Sequence, residues 1–155
     1  MRSLGHGGRV LDLGCGDGRL SAEIDATQLT AADVSATALE RARRRLSAAR
    51  IVELVPDTPL PFDDGAFDVV LCAETIEHVR DVQLLLSEVR RVLRPGGVFA
   101  ATTPAHLSVG RRPNPLSPHL RFFTRRSLRR LLRELGFEVE SLKRRSGTLL
   151  VRATR

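Results

Sequence analysis

Cysteine, lysine and large aromatic residues are scarce in this chain of 155 residues. It has two cysteines, Cys15 and Cys72, a single lysine, and neither tryptophan nor tyrosine. Without a CxxC pattern the sequence argues against structural zinc, and the two thiols are more typical of reduced cysteines than of a disulfide framework. There is no signal-peptide region at the start, and no apolar run near the roughly 20 residues of a spanning helix. These absences predict a cytoplasmic protein without a membrane partner.

The charge is strongly positive, at +7, and almost all of it comes from arginine. Such a surface is typical of nucleic-acid binding, but the six phenylalanines offer few rings for stacking on bases. The arginines fall in two sets, Arg41, Arg43, Arg44 and Arg45, and Arg125, Arg126, Arg129, Arg130 and Arg133. Solvated faces of two helices account for them more simply, so nucleic acid ranks below a small molecule as partner.

Apolar runs alternate with amphipathic segments, a pattern typical of a parallel sheet covered by helices on both faces. Strands are predicted at 9–13, 28–33, 51–55, 67–72, 97–103, 137–142 and 148–153, and helices at 18–25, 36–49, 80–93 and 125–135. The last two strands are joined by a short turn at Gly147, which permits only an antiparallel hairpin. We expect a single domain over 1–155.

Residues 10–18, VLDLGCGDG, are the most informative stretch. They join an apolar strand to a predicted helix through Gly14, Gly16 and Gly18, which allow the backbone to turn and approach a ligand closely. That helix is expected to begin near Gly18 and to offer its N-terminus to an anionic group such as a carboxylate. The spacing differs from the GxGxxG of dinucleotide-binding proteins, and Asp12 and Asp17 would repel a pyrophosphate. The loop therefore favours a ligand with positive charge.

Asp33 ends the second predicted strand, about 20 residues after the loop, where a carboxylate meets a ribose diol in nucleotide-binding folds. A simpler role as the N-cap of the next helix remains open. Ser35 is the other candidate for that cap.

Together these features resemble the class I S-adenosylmethionine-dependent methyltransferases. Three later blocks match as well: Asp57 with PLPF at 59–62, FDVV at 67–70 and VLRPGG at 92–97. The resemblance implies a Rossmann-like, doubly wound seven-stranded sheet, mostly parallel with an antiparallel C-terminal strand, and S-adenosylmethionine as cofactor, with S-adenosylhomocysteine as product. The cofactor-binding residues that it implies are Asp12, Gly14, Cys15, Gly16, Gly18, Asp33, Val34, Asp57, Ala73 and Glu74.

The acceptor is expected at the carboxyl ends of the strands, where open α/β sheets leave a crevice. Glu74, Glu77 and His78 would share one face there if they form a helical turn. Because imidazole titrates near neutral pH, His78 and His119, with Glu77, are the predicted catalytic residues, and His106 is a further candidate base. Each histidine has the alternative role of a hydrogen-bonding loop residue. The predicted reaction is methyl transfer to an oxygen or nitrogen of a small molecule.

Two alternatives remain open. The pattern Glu74-x-x-Glu77-His78 with a distant His119 resembles the divalent-metal site of small-RNA 3′-end methyltransferases and some quinone-type O-methyltransferases, although no metal is assigned. The other alternative is a protein that binds the cofactor or its product without catalysis.

Members of the resembled family usually carry helices before the first strand, and only 1–8 precede it here. We expect the cover to come from a homodimer partner or from the segment 104–124. Its prolines limit regular structure, and a long irregular segment is usually functional or mobile. Phe122 and Phe123 are expected to anchor its end, with Thr124 capping the next helix.

Overall fold

A seven-stranded sheet forms the centre of the protein. The computed structural model describes residues 8–105 and 119–155. The strands, in chain order, are β1 (Arg9–Leu13), β2 (Gln28–Asp33), β3 (Arg50–Glu53), β4 (Phe67–Ala73), β5 (Leu93–Pro104), β6 (Glu138–Arg145) and β7 (Thr148–Thr154). Their spatial order is β3-β2-β1-β4-β5-β7-β6. The chain reverses direction across the sheet between β3 and β4, so the crevice of a doubly wound fold lies beside β1.

Neighbouring strands from β3 to β5 run parallel, and β7 is antiparallel to both β5 and β6. The hairpin between β6 and β7 turns at Ser146 and Gly147, which both have positive φ, as a two-residue hairpin turn requires. The predicted mixed sheet with an antiparallel end is confirmed.

Helices cover both faces of the sheet. α1 (Ala36–Arg45) buries Leu39 and Ala42 against Ala31 of β2 on one face. α2 (Val82–Val92) and α3 (Arg125–Glu134) pack on the other face, over the main core around Phe99. Their buried residues recur at helical spacing, as Val82, Leu86, Val89 and Val92, and as Leu128 and Leu132. The fold therefore follows from alternating inward and outward side chains on strands that are buried on both sides.

The prediction of a helix at 18–25 is wrong. Only a 3-10 turn, Ser21–Glu23, forms in that segment. Gly18 has a φ of +79°, outside the helical region, and its N–H donates to Cys15 O at 3.0 Å. The hydroxyl of Ser21 donates to Asp12 at 2.5 Å, so tertiary contacts override local helix propensity here. The helix N-terminus that was expected to face an anionic group therefore does not form in the described loop.

Smaller differences concern element ends. α1 stops at Arg45 rather than at 49, because β3 begins at Arg50 in register with Thr30 and the chain must turn before it. β5 begins at Leu93, immediately after α2. Within residues 8–105 and 119–155, no helix is long and apolar enough to cross a membrane.

Candidate functional site

A cleft of about 360 Å³ opens where the carboxyl ends of β1, β2 and β4 meet. Leu13 ends β1, Asp33 ends β2 and Glu74 follows β4, so strand order alone brings these residues together. The remaining wall comes from the stretch after β3 and from α2. The cleft is lined by Leu13, Gly14, Asp33, Val34, Leu54, Val55, Pro56, Asp57, Thr58, Leu60, Glu74, Thr75, His78, Val79, Arg80 and Leu85.

The glycine loop borders this cleft at Gly14. The amides of Gly14 and Cys15 both donate to the carbonyl of Ala32, at 2.8 and 3.0 Å, which holds the loop against β2. Gly14 has a φ of +79°, and a Cβ there would lie 2.3 Å from Thr75 Oγ1. Position 14 therefore requires glycine for both its backbone conformation and its close approach to Thr75.

The Asp33 carboxylate organises the end of β2. Its Oδ2 accepts the N–H of Gly16 at 2.8 Å, and its Oδ1 accepts the N–H of Ser35 at 2.9 Å. Ser35 is the N-cap of α1, since its hydroxyl accepts from the Ala38 amide at 3.2 Å. The alternative role of Asp33 as that cap is excluded. Each carboxylate oxygen keeps a second lone pair, which can accept a ligand hydroxyl.

Two acidic residues of the cleft have strained backbones. Asp57 and Glu74 have φ values of +56° and +51°, a region that non-glycine residues seldom occupy. The Glu74 amide donates to Thr102 O at 2.9 Å, which fixes the turn after β4. Asp57 faces Arg80 across a 2.8 Å ion pair. Strain of this kind concentrates at ligand sites, and here it places two carboxylates on the cleft wall.

Asp12 and the cysteines lie behind the cleft. The Asp12 side chain is buried, and burial raises its pKa above the ordinary 3.8 despite the hydrogen bond from Ser21. Both cysteines are free and buried, and burial raises the pKa of Cys15 and of Cys72 to about 12. The prediction that the two cysteines do not form a disulfide is confirmed. Asp12 acts on the loop through Ser21, and it does not line the cleft.

The segment after β4 forms a turn and not a helix, with the His78 amide donating to Thr75 O at 3.0 Å. Glu74 is exposed toward the cleft, whereas the Glu77 side chain is fully buried. The prediction that Glu74, Glu77 and His78 share one face is therefore wrong. His78 remains at the cleft, and its ring lies 4.8 Å from the ring of His119.

Glu77 has one satisfied and one unsatisfied oxygen. Oε2 accepts from Thr103 Oγ1 at 3.0 Å, while the buried Oε1 has no hydrogen-bond partner among the described residues and lies 3.9 Å from His78 Nε2. Ligand atoms of Glu77, His78 and His119 all lie within 4.8 Å of one another. An uncompensated buried carboxylate oxygen is costly, and two imidazoles beside it form a set able to hold a divalent cation. Glu74 is not part of this set.

The structure brings together six of the predicted residues at the cleft: Gly14, Asp33, Val34, Asp57, Glu74 and His78. Asp12, Cys15, Gly16, Gly18 and Ala73 support the loops behind it, and Glu77 and His119 lie next to His78. Sequence reasoning missed Thr75, Arg80 and Leu85 as residues of the cleft. Nothing in the sequence distinguishes Arg80 from the other arginines, because only the fold places it opposite Asp57.

Most of the expected lid lies outside the described residues, as does His106. At its described end, Phe123 is buried and Phe122 packs edge-on to His119 with ring centroids 5.5 Å apart. Thr124 caps α3 in a capping box with Ser127, which confirms its predicted role.

Residues 11–101 match the family model described as "Methyltransferase domain". The chain is 37% identical over 137 residues to a protein of Mycolicibacterium smegmatis named "Probable S-adenosylmethionine-dependent methyltransferase", covering 84% of this chain and 52% of that one. It is 36% identical over 108 residues to the 27-O-demethylrifamycin SV methyltransferase of Amycolatopsis mediterranei, covering 64% and 40%. The chain thus spans about half, or less, of the length of these relatives.

Among solved structures, the [4+2]-cyclase SpnF superposes with a TM-score of 0.84 at 21% identity, covering 97% of this chain and 75% of that one. At this identity the likeness shows the fold alone. A cyclase on the same fold illustrates that the architecture does not determine the reaction.

Proposed function

We propose that the chain transfers a methyl group to an oxygen or nitrogen of a small-molecule acceptor. The premise is that the chain belongs to the class I S-adenosylmethionine-dependent methyltransferase family and that S-adenosylmethionine is its cofactor. The observation that carries the proposal is the cleft where Gly14, Asp33 and His78 meet.

The residues of the cleft fit this cofactor. Val34 and Val55 are exposed by 53% and 67%, and both line the cleft, where a purine ring would cover them. Asp33 offers acceptors to the two ribose hydroxyls. The carboxylates of Asp33, Asp57 and Glu74, against the single cation of Arg80, give the wall an acidic balance suited to a sulfonium and an ammonium.

When bound, the cofactor supplies an electrophilic methyl group on a sulfonium. The chain would orient the acceptor in line with that group and exclude water from it. His78, on the cleft wall, is the residue that would accept the acceptor's proton. Glu77, with Oε1 3.9 Å from His78 Nε2, would act as a positioning residue for that imidazole.

The relatives support an oxygen acceptor on a small molecule, since the Amycolatopsis protein is named for 27-O-demethylrifamycin SV. A metal-assisted reaction is the second candidate, favoured by the buried Oε1 of Glu77, which accepts no hydrogen bond from the described residues and lies beside two imidazoles. A divalent cation there would stabilise the negative charge that develops on an acceptor hydroxyl as it loses its proton, and so would ease that deprotonation.

Titration calorimetry with S-adenosylmethionine and S-adenosylhomocysteine, with NAD as control, tests the cofactor assignment. We expect saturable heat with both sulfur ligands and none with NAD. Transfer from radiolabelled cofactor is then assayed against a metabolite extract and against total RNA. Labelled metabolites support the proposal; binding without transfer to either pool favours a non-catalytic binding protein.

A further inference from the structure

A second groove, of about 650 Å³, opens at the same edge of the sheet beside α3. Ala105, just after β5, and Leu149, at the start of β7, form its apolar floor. Its walls carry Arg125, Arg126 and Arg129 from α3, and Arg144 from β6. We call these four residues the arginine groove. Three of them were expected to be solvated residues of one helix, and the fold brings in the fourth from β6, the next element of the chain.

No carboxylate balances this charge in the described part of the chain. The groove has no acidic lining residue, and no ion pair joins its four guanidiniums to a carboxylate of residues 8–105 or 119–155. Arg130, on the same helix, pairs with Glu134 at 2.7 Å, and Arg152 pairs with Glu140 at 2.5 Å. Two other arginines of α3 and β7 are thus neutralised by carboxylates, whereas within the described residues the four arginines of the groove are not.

The N-terminus of α3 adds to the positive potential of the arginine groove. α3 begins at Arg125 with Thr124 as its cap, and Thr124 also lines the groove. The positive end of the helix dipole is thus at the groove wall. Guanidinium groups present paired N–H donors that match the oxygens of phosphate and carboxylate. The chemistry of the groove suits an oxyanion.

Sheet register fixes the distance to the cofactor cleft. The Glu74 amide is hydrogen-bonded to Thr102 O of β5, and the next residue, Thr103, pairs with Leu149 of β7. Two strand spacings, about 10 Å, separate Glu74 from the groove floor. One small molecule can span that distance.

We propose that the arginine groove binds a phosphate or carboxylate of the methyl acceptor, about 10 Å from Glu74 on the wall of the cofactor cleft. The acceptor role rests on the proposed function. A nucleic acid fits the charge distribution less well: α1, which carries Arg41, Arg43, Arg44 and Arg45, packs on the opposite face of the sheet from α3. The two basic sets form no single track for a phosphate backbone.

The test is an NMR titration of the full chain with inorganic phosphate and, separately, with acetate. Saturable shifts of the amides at 124–126 and 147–149 are expected, and the anion that gives the tighter binding identifies the oxyanion. The double variant R129A/R144A should weaken binding roughly tenfold, since two charge-assisted contacts at an exposed site are lost. R43A/R44A removes the same charge from α1 and should leave the affinity unchanged.

If both double variants weaken anion binding equally, the anion responds to diffuse positive charge and not to the groove, and the inference is overturned. Tighter binding of a single-stranded RNA 12-mer, lost in R129A/R144A and steeply weakened by salt, would assign the groove to nucleic acid instead. Calorimetry with S-adenosylhomocysteine separates the two proposals. If S-adenosylhomocysteine binds but neither phosphate nor acetate binds saturably, only the groove proposal is refuted. If an oxyanion binds but S-adenosylhomocysteine does not, the proposed function is refuted, together with the acceptor role of the groove.

Discussion

The Gly16 amide donates a hydrogen bond of 2.8 Å to the Asp33 carboxylate, and this contact joins the glycine loop to the end of β2. The loop approaches β2 because its positive-φ glycines turn the chain back after β1. The same carboxylate is the group that we expect to accept the ribose hydroxyls. Asp33 therefore shapes the loop and, in our proposal, binds the cofactor.

Replacing Asp33 by alanine should weaken binding of S-adenosylhomocysteine by roughly 1–3 kcal/mol, because the ribose hydroxyls lose a charged acceptor. Calorimetry gives the affinity. Ser35→Ala is the matched control: it removes the cap of α1 and should cost about 1 kcal/mol of folding stability while leaving the affinity intact. Unchanged affinity in Asp33→Ala would limit that residue to loop structure.

Gly14→Ala should destabilise the protein by roughly 2–5 kcal/mol, since the new Cβ would lie 2.3 Å from Thr75 Oγ1 in a positive-φ backbone. Gly16→Ala meets nothing within 4 Å and should cost only the backbone strain, about 1–2 kcal/mol. Urea denaturation measures both. Adding Thr75→Ala to Gly14→Ala should recover part of the loss; no recovery would mean that the contact with Thr75 is not the cause.

Asp12→Asn should stabilise the protein increasingly as the pH rises above 3.8. Burial raises the pKa of folded Asp12 above that value, so the carboxyl ionises in the unfolded chain first and stability falls until the folded pKa is passed. An asparagine side chain does not ionise, so the variant does not lose stability in this way, and the amide oxygen can still accept the hydrogen bond of the Ser21 hydroxyl. Below pH 3.8 wild type and variant should coincide in urea denaturation. A difference that does not change with pH would contradict this account.

Asp68 offers the opposite case on β4. Hydrogen bonds from Arg9 hold its pKa far below 3.8, with a further contribution from Arg94. This carboxylate stabilises the protein above pH 3.8, and its contribution is lost as the pH falls through the folded pKa. Asp68→Asn should therefore destabilise the protein at neutral pH and have a vanishing effect in acid. The same denaturation series measures it, and an undiminished effect in acid would contradict the assignment.

Glu77→Gln should raise the thermal stability of the metal-free protein, because it replaces a buried carboxylate whose Oε1 has no hydrogen-bond partner within residues 8–105 and 119–155. Added Mn²⁺ should raise the melting temperature of the wild type in calorimetry but not that of Glu77→Gln or His119→Ala. Glu74→Gln is the control, since Glu74 lies outside the cluster, and it should respond to Mn²⁺ like wild type. A wild type that is unaffected by Mn²⁺ would remove the metal-assisted candidate.

The strands and the helix at 18–25 show where local pattern succeeds and fails. β1 and β2 end where predicted, because short apolar runs bounded by glycine and aspartate are typical of buried strands. The segment 18–25 has good helix formers, yet it forms a single 3-10 turn. Gly18 adopts a positive φ, and the Ser21 hydroxyl is hydrogen-bonded to Asp12. Neither the backbone angle nor the hydrogen bond is visible in residue periodicity.

The sequence by itself determined the family, the glycine loop and the position of Asp33 at the end of β2, since each depends on short motifs whose residues are neighbours along the chain. Only the tertiary structure decided that Glu77 is buried, that His78 meets His119, and that Arg144 joins three arginines of α3. The physical reason is that periodicity encodes which face of an element is buried. Contacts between distant segments depend instead on strand order and register, which form only when the whole sheet assembles.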